Sequence, residues 1–376
     1  MEMKKIGIIT YHAAYNYGSV LQAYALQQEL IKLGYKVEII NYRMDEQKKY
    51  YALYRTSYGL KIFLKDLQQF PIHLKRKKRV EKFEEFIASK LILTKEFANP
   101  KDIMLIAKRY DCLVSGSDQI WNKHSNELWN ADWEYMKPYF FSGCNGYKVS
   151  YASSIGNMTD EELKKVEYDV KKFAYVSLRE QSAANKVREL FSIDVDIVPD
   201  PTFLLCKEEW ERFIINVPKR KDKFFFFYSL NGIKMIKKWK SCIEALCDEM
   251  GYRAVVVTPY IYVKYMNRNI ENHPEYGPYD FLACIRDCDF VLTDSYHGTA
   301  LALNMGKKVY SIITEASTEY RKSDLLKALG QYGKIVKDPK DVYSKLNKKG
   351  GENERDLISL YREEGEKKLQ KIVKNS

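Results

Sequence analysis

The sequence predicts an α/β protein with two consecutive domains, each a parallel sheet covered by helices. Three observations carry that reading. Ile6-Gly7-Ile8-Ile9 is an apolar, strand-like run that enters the polar turn His12–Gly18. A helical stripe of Val20, Ala23, Leu26, Leu30 and Leu33 follows. The same pattern recurs later: Phe290-Val291-Leu292-Thr293 enters a short polar turn, then a small-residue helix that stops at Gly306, then the strand Lys308–Ile312. Between them, Pro199-Asp200-Pro201-Thr202 interrupts regular structure and marks a boundary. The 376 residues are enough for two domains of ordinary size.

Taken in order, Lys4–Tyr11 reads as the first strand. Ser19 can cap the next helix, Gly34 ends it, and Val37–Asn41 is the second strand. Lys75-Arg76-Lys77-Lys78-Arg79 opens a helix running to about Lys90. Strands follow at Asp111–Ser115, Lys148–Ala152, 174–177 and Val195–Val198, with helices at 160–172 and 180–190. In the second half, strands at Phe224–Tyr228 and 253–257 flank a helix at 233–250 that Gly251 ends. Residues 258–278 read as a long loop, and helices fall at 279–287 and 319–329. Lys348-Lys349-Gly350-Gly351 is a flexible break before a final helix at about 353–373. Its Leu357, Leu360, Tyr361, Leu369 and Ile372 suggest a docking stripe. The expected domains are 1–204 and 205–350, with a C-terminal helix in 351–376.

Composition narrows the function classes. Hydrophobic content of 45% with 30% charged residues is that of a soluble chain, and no apolar run is long enough to span a membrane. The N-terminal run leads straight into a helix pattern and reads as a strand, not a signal peptide. Seven cysteines without a framework spacing suggest reduced cytosolic thiols, so a cytoplasmic location is expected. Cys284 and Cys288 lack the partners a metal site needs, and no metal is expected. The net charge of +12 favours anionic partners, but no motif supports nucleic acid. Lys48–Tyr58 interleaves cations with aromatics, and with Lys75–Arg79 it suggests peripheral contact with an anionic membrane at its inner face. The alternative is a solvated surface.

The polar turns sit where parallel sheets bind ligands, at the carboxyl ends of strands. Asp294, Ser295 and His297 occupy one. The helix after it starts at Gly298-Thr299, where amides without internal partners can meet an anion. His297 is either an acid/base group or a local helix cap. Asn16, Gly18 and Ser19 occupy the first turn, and Gly116–Asn122 forms another strand-end loop. Arg179, at a strand end and a helix start, can clamp an anion bidentately or pair with Glu180.

Five motifs stand in order: Asn16-Tyr17-Gly18-Ser19-Val20-Leu21-Gln22, Gly116-Ser117-Asp118-Gln119-Ile120-Trp121-Asn122, Ser177-Leu178-Arg179-Glu180, Asp200-Pro201-Thr202 and Thr293-Asp294-Ser295-Tyr296-His297-Gly298-Thr299. In this order the chain resembles the polysaccharide pyruvyl transferases over roughly residues 4 to 330. The resemblance implies two Rossmann-like domains facing across a cleft, as in GT-B glycosyltransferases, with the terminal helix returning to the first domain. It implies phosphoenolpyruvate as donor substrate, no separate cofactor, and a sugar acceptor on a lipid-linked repeat unit. By position, Arg179 and His297 resemble the family's donor-binding arginine and its histidine at the reacting centre. Many members carry an arginine where this chain has Ser295, and Arg321 is the expected substitute charge.

On this reading His297, Asp294 and Asp118 are the catalytic candidates, and Arg179, Arg321, Ser295, Gly298 and Thr299 bind the donor. Asn16, Tyr17, Gly18, Ser19, Gln22, Ser117, Gln119 and Tyr296 line the acceptor side or the cleft. Two alternatives stand beside it: a GT-B glycosyltransferase using a nucleotide sugar, and a non-catalytic glycan- or lipid-binding protein.

Overall fold

The computed structural model describes residues 3–67, 69–128, 131–259, 263–313, 320–346 and 354–374. The chain divides into two units: Met1–Ser57 with Glu84–Leu205 and Leu360–Ser376, and Tyr58–Phe83 with Cys206–Ser359. Residues 58–83 therefore group with the second unit, not with the expected 1–204 block. The Lys348–Gly351 break lies outside the described residues.

The first unit is built on β1 (Lys5–Ile9), β2 (Lys36–Ile39), β3 (Cys112–Ser115) and β4 (Lys148–Ser150), in the spatial order β2-β1-β3-β4. Every pairing is parallel. Two short strands, β5 (Ser177–Leu178) and β6 (Asp196–Ile197), pair with each other. Bridges from Val149 to Tyr175 and from Ser153 to Leu178 join them to the β4 side. On the other side, Ile39 bridges Leu93 and Tyr42 bridges Phe97, so the stretch after the His73–Lys90 helix extends the sheet beyond β2. The chain thus adds strands on one side of β1, then crosses to the other. Ile6, Ile8 and Ile9 are fully buried, as expected of a parallel strand covered on both faces.

The second unit repeats the scheme with β7 (Phe224–Tyr228), β8 (Arg253–Val257), β9 (Ile270–Asn272), β10 (Phe290–Thr293), β11 (Lys308–Ile312) and β12 (Ile335–Val336). Their spatial order is β12-β11-β10-β7-β8-β9, all parallel. Read from the other edge this is 3-2-1-4-5-6, the doubly wound order with its reversal between β7 and β10. Phe224–Phe227 are fully buried, and the Phe225 and Phe290 rings stack at 5.1 Å across the central pair. Trp239, Ile243 and Leu246 of the Ile233–Met250 helix pack on the same core.

Several local expectations change. The helix after β1 starts at Tyr17, and its cap is Asn16, whose side-chain oxygen accepts from the Gly18 amide at 3.0 Å. Ser19 is used elsewhere. The expected 160–172 helix is two short ones, Asp160–Lys164 and Glu167–Val170. Lys165 and Val166 bond back only three residues, which tightens the turn and breaks the helix. The 258–278 loop contains strand β9. Cation–aromatic residues of the Lys48–Tyr58 stretch are largely engaged: Lys48 pairs with Glu96 at 2.6 Å, Lys49 with Glu46 at 2.6 Å, and Arg55 lies over the Tyr50 ring.

The final helix is Glu354–Lys374. From residue 360 onward it belongs to the first unit. Arg362 donates to the Phe203 carbonyl at 2.9 Å, Lys368 to the Ile197 carbonyl at 2.8 Å, and Tyr147 to the Ile372 carbonyl at 3.0 Å. Leu369, Ile372 and Val373 are buried, whereas Leu360 points to solvent and is not part of the docking stripe. Leu369→Ala should therefore lower unfolding stability by about 2–4 kcal/mol. Leu360→Ala should stay within about 0.5 kcal/mol of the parent, as read by urea denaturation of the two variants.

Candidate functional site

Each unit carries a cluster of polar side chains at the carboxyl ends of its strands, where the strand order reverses. In the first unit the reversal lies between β1 and β3, so the loops after those strands meet. A Cβ on Gly116 would fall 1.9 Å from the Tyr151 carbonyl oxygen, and its φ of +142° also requires glycine. The loop that follows turns Asp118 back toward the helix start. There Asp118 accepts from the Ser19 hydroxyl at 2.6 Å and the Gln119 amide at 2.8 Å. Gln22 holds the loops together: its amide nitrogen donates to Thr10 Oγ1 and the Ser19 carbonyl, both at 2.8 Å, and its oxygen accepts from the Ser117 amide at 3.2 Å. The Ser117 hydroxyl donates to the Ala152 carbonyl at 2.7 Å.

Arg179 lies in the middle of this cluster, with its side chain fully buried. Its Nε donates to Glu180 at 2.8 Å, Nη1 to Asp200 at 2.7 Å and Nη2 to Asp118 at 3.4 Å. Of the two readings offered for Arg179, the pairing with Glu180 is the contact the fold makes. Three of its five donors are engaged by carboxylates, which also offset its positive charge. Asp200 in turn accepts from the Thr202 amide and hydroxyl at 3.0 and 2.8 Å. Asp118 is likewise tied up as a positioning group and is a weak candidate for a base. Tyr17, Gln22 and Ser117 are fully buried and set the loops; they do not line an acceptor surface. Asn16 and Gln119 are half-buried and remain accessible.

In the second unit β7 and β10 are the central pair, and the turns after both lie at the reversal. Asp294 joins them. It accepts from the Ser229 hydroxyl, the Leu230 amide at 2.8 Å, and the Asn231 amide and side chain at 3.3 and 2.9 Å. With its lone pairs so occupied, it anchors the turn after β7. Ser295 caps the Tyr296–Asn304 helix by accepting from the Gly298 amide at 3.2 Å. Gly298 is set by packing: a Cβ there would lie 2.8 Å from Thr293 Oγ1 and 3.1 Å from the Tyr228 ring, so the helix lies close on the strands. Thr299 is fully buried and bonds to the Ser295 carbonyl at 3.0 Å and Ser311 Oγ at 2.9 Å, which removes it from the donor contacts.

His297 lies in the first turn of that helix, buried, with the Tyr296 ring edge-on at 5.2 Å. A cation the sequence reading missed stands beside the turn. Lys322, buried in the Tyr320–Ala328 helix, donates its ammonium to the Asp294 carbonyl at 2.8 Å and to the Ile312 carbonyl at the end of β11. Arg321, the expected substitute charge, is the half-buried neighbour one residue earlier. The signal for Lys322 was its adjacency to Arg321. The signal for Ser229–Asn231 was the polar break after the Phe224–Tyr228 run, the same signature that marked the other turns.

Two titratable groups near the first cluster also escaped the sequence reading. His12 sits between the Thr10 carbonyl at 3.2 Å and Asn41 Oδ1 at 2.9 Å, and burial lowers it to about 4. Glu127 accepts from the Tyr51 hydroxyl at 2.6 Å. Burial raises it to about 7; the Tyr51 bond opposes this and the Asp118 charge adds to it.

A family model described as polysaccharide pyruvyl transferase matches residues 16–315, four-fifths of the chain. The chain belongs to the polysaccharide pyruvyl transferase family. No curated protein sequence matches it significantly. Among solved structures, the UDP-N-acetylglucosamine 2-epimerase from Rickettsia bellii is similar over 99% of this chain and 96% of its own, at 11% identity and a TM-score of 0.56. The Neisseria meningitidis UDP-GlcNAc 2-epimerase bound to UDP-GlcNAc covers 100% of both chains at 10% identity and 0.55. The Methanocaldococcus jannaschii enzyme covers 95% of this chain and 99% of its own at 13% and 0.54. At such identities the likeness establishes the fold: this pyruvyl transferase family member has the GT-B type of α/β architecture, with parallel sheets and covering helices.

Arg179→Ala should destabilise the protein by about 3–5 kcal/mol, because it leaves three buried carboxylates facing one another, and chemical denaturation will read it. A pH series on His12→Gln and Glu127→Gln checks the two buried groups. His12, held below the ordinary 6.5, contributes stability above that value that is lost as pH falls through about 4. Glu127, held above the ordinary 4.5, contributes stability at low pH that is lost as pH rises through about 7. Relative to the parent, Glu127→Gln should gain up to about 3 kcal/mol between those limits, and His12→Gln should lack the acid-side loss.

Proposed function

We propose that this transferase uses phosphoenolpyruvate to form a pyruvate ketal on two hydroxyls of a polysaccharide repeat-unit sugar. The observation that carries this reading is the convergence of three features at the second unit's strand reversal: His297, the start of the Tyr296–Asn304 helix and the buried ammonium of Lys322. A helix start and a buried cation suit a small ligand carrying a phosphate and a carboxylate. The helix carries no carboxylate among its nine residues to hold a ribose, which favours phosphoenolpyruvate over a nucleotide sugar.

With Asp294 and Asp118 committed to loop contacts, His297 is the proton carrier. Its imidazolium gives a proton to the methylene carbon of the donor, and the adjacent carbon becomes electrophilic. The first sugar hydroxyl adds there and returns its proton to the imidazole. The second hydroxyl then adds as the carbon–oxygen bond to phosphate breaks. Its proton leaves on the phosphate, and the products are the methyl ketal carboxylate and hydrogen phosphate. The positive end of the helix dipole and Lys322 oppose the charge that builds on the departing phosphate. The acceptor sugar in this reading is carried on a lipid. No resident cofactor or metal enters the scheme, so turnover should survive treatment with a chelator.

Phosphoenolpyruvate should raise the thermal midpoint, and UDP-sugars should not. The opposite pattern would move the chain to nucleotide-sugar chemistry. His297→Ala should keep the parent's midpoint and lose about a hundredfold or more in phosphate release with a competent acceptor. His297→Gln should retain much of the rate only if the ring serves as a hydrogen-bond donor, and parent-like turnover in His297→Ala refutes the assignment.

A further inference from the structure

Residues 60–79 present apolar side chains outward. The Leu60–Leu67 helix exposes Leu60, Leu64 and Leu67 to 71%, 49% and 45%, at a spacing that puts them on one face. Phe70 and Leu74 follow within seven residues and are 64% and 78% exposed. The same helix turns its one carboxylate inward: Asp66 is 3% exposed, and Ile72 beyond it is buried. A surface helix that buries its aspartate and shows its leucines reverses the usual partition. Five large apolar groups in fifteen residues form an exposed stripe of the kind that marks an interaction surface.

The charge beside the stripe selects the partner. Residues 60–79 hold seven cations against one carboxylate, a net +6, which is half of the chain's +12. Lys61, Lys75, Lys77 and Lys78 are exposed. The Lys77–Glu81 pair at 3.9 Å is solvent-exposed, and such a pair yields readily to a denser anionic surface; Lys75 is exposed and lies 3.4 Å from the half-buried Glu275. Leucines and a phenylalanine flanked by lysines match the boundary between acyl chains and anionic headgroups. We propose that the 60–79 segment docks on an anionic lipid bilayer, with Leu60, Leu64, Leu67, Phe70 and Leu74 entering the headgroup–acyl boundary and the flanking lysines meeting lipid phosphates. The attachment is peripheral: among the described residues no helix is long and apolar enough to cross a membrane. Of the two stretches expected to meet a membrane, it keeps Lys75–Arg79 and not Lys48–Tyr58, where no large apolar side chain is exposed among the described residues.

The inference is independent of the donor chemistry proposed above, since vesicle binding needs neither donor nor acceptor. The full chain is sedimented with phosphatidylglycerol-containing vesicles and with pure phosphatidylcholine vesicles, at low and high salt. Binding is expected to the anionic vesicles only, weakened by salt. The double variant Leu64→Glu with Leu67→Glu should bind at least about tenfold more weakly while keeping the parent's thermal midpoint, because both side chains are exposed. If that variant fails to fold, Leu74→Ser, at the most exposed position of the stripe, takes its place. Absence of binding at low salt, or equal binding by the variant, overturns the proposal. Self-association of the parent that the variant abolishes, without vesicle binding, overturns it in favour of a second copy of the chain.

Discussion

A guanidinium withdrawn from water decides the geometry of the first unit's ligand-facing edge. Arg179 is enclosed by Asp118, Glu180 and Asp200, which come from three separate loops. Three carboxylates cannot share so small a space uncompensated, and one cation cannot be buried alone. Each loop is therefore held at the position the others require. From Asp118 the constraint passes to Ser19 and the first helix, and from Asp200 to the Pro201–Phe203 turn. The Glu354–Lys374 helix bonds to Phe203, so even the end of the chain rests on this arrangement.

The second unit solves the same problem with opposite signs. There a carboxylate, Asp294, gathers hydroxyl and amide donors from the turn after β7, and a lysine, Lys322, donates to the same residue's carbonyl. Both units thus lock their strand reversals by using up the polar groups that sequence inspection first offers as catalytic. At the second reversal an imidazole, that of His297, stands on a helix start. Its position is defined by Gly298, which lets the helix approach Thr293 and Tyr228 closely.

The elements legible in the sequence are those whose cause is local. Phe224–Tyr228, the Ile233–Met250 helix and Arg253–Val257 appear at the residues expected, because an unbroken apolar run, a helical stripe and an αL glycine at 251 specify them without outside help. Strand β9 went unread because three residues inside a polar loop carry no period. It exists through its pairing with β8. The site was half legible for the same reason. The turns could be found from the strands that lead into them. The pairing of Arg179 with its neighbour Glu180 could be offered, but its contact with Asp118 and the roles of Asp118 and Asp294 could not, because those partners lie 61, 99 and 65 positions away along the chain and meet only in the folded sheet. Ser295, where the resemblance led to the expectation of an arginine, is a helix cap.

The five aromatic residues of β7 have a further meaning before the fold is complete. Phe225 pairs on one side with Ala254 and on the other with Phe290, so its second neighbour emerges from the ribosome some 65 residues after it. At about 5–20 residues per second, that edge stays open for roughly three to thirteen seconds. An uncharged aromatic β-segment without proline is the kind most prone to pair with another chain in that interval. Immediately before it stand Lys219, Arg220, Lys221, Asp222 and Lys223. In the finished protein Arg220 and Asp222 pair with each other and join a half-buried ion-pair network with Glu271 and Arg253. A charged run flanking an aromatic strand is the pattern that opposes pairing with another chain before the covering strand has been made.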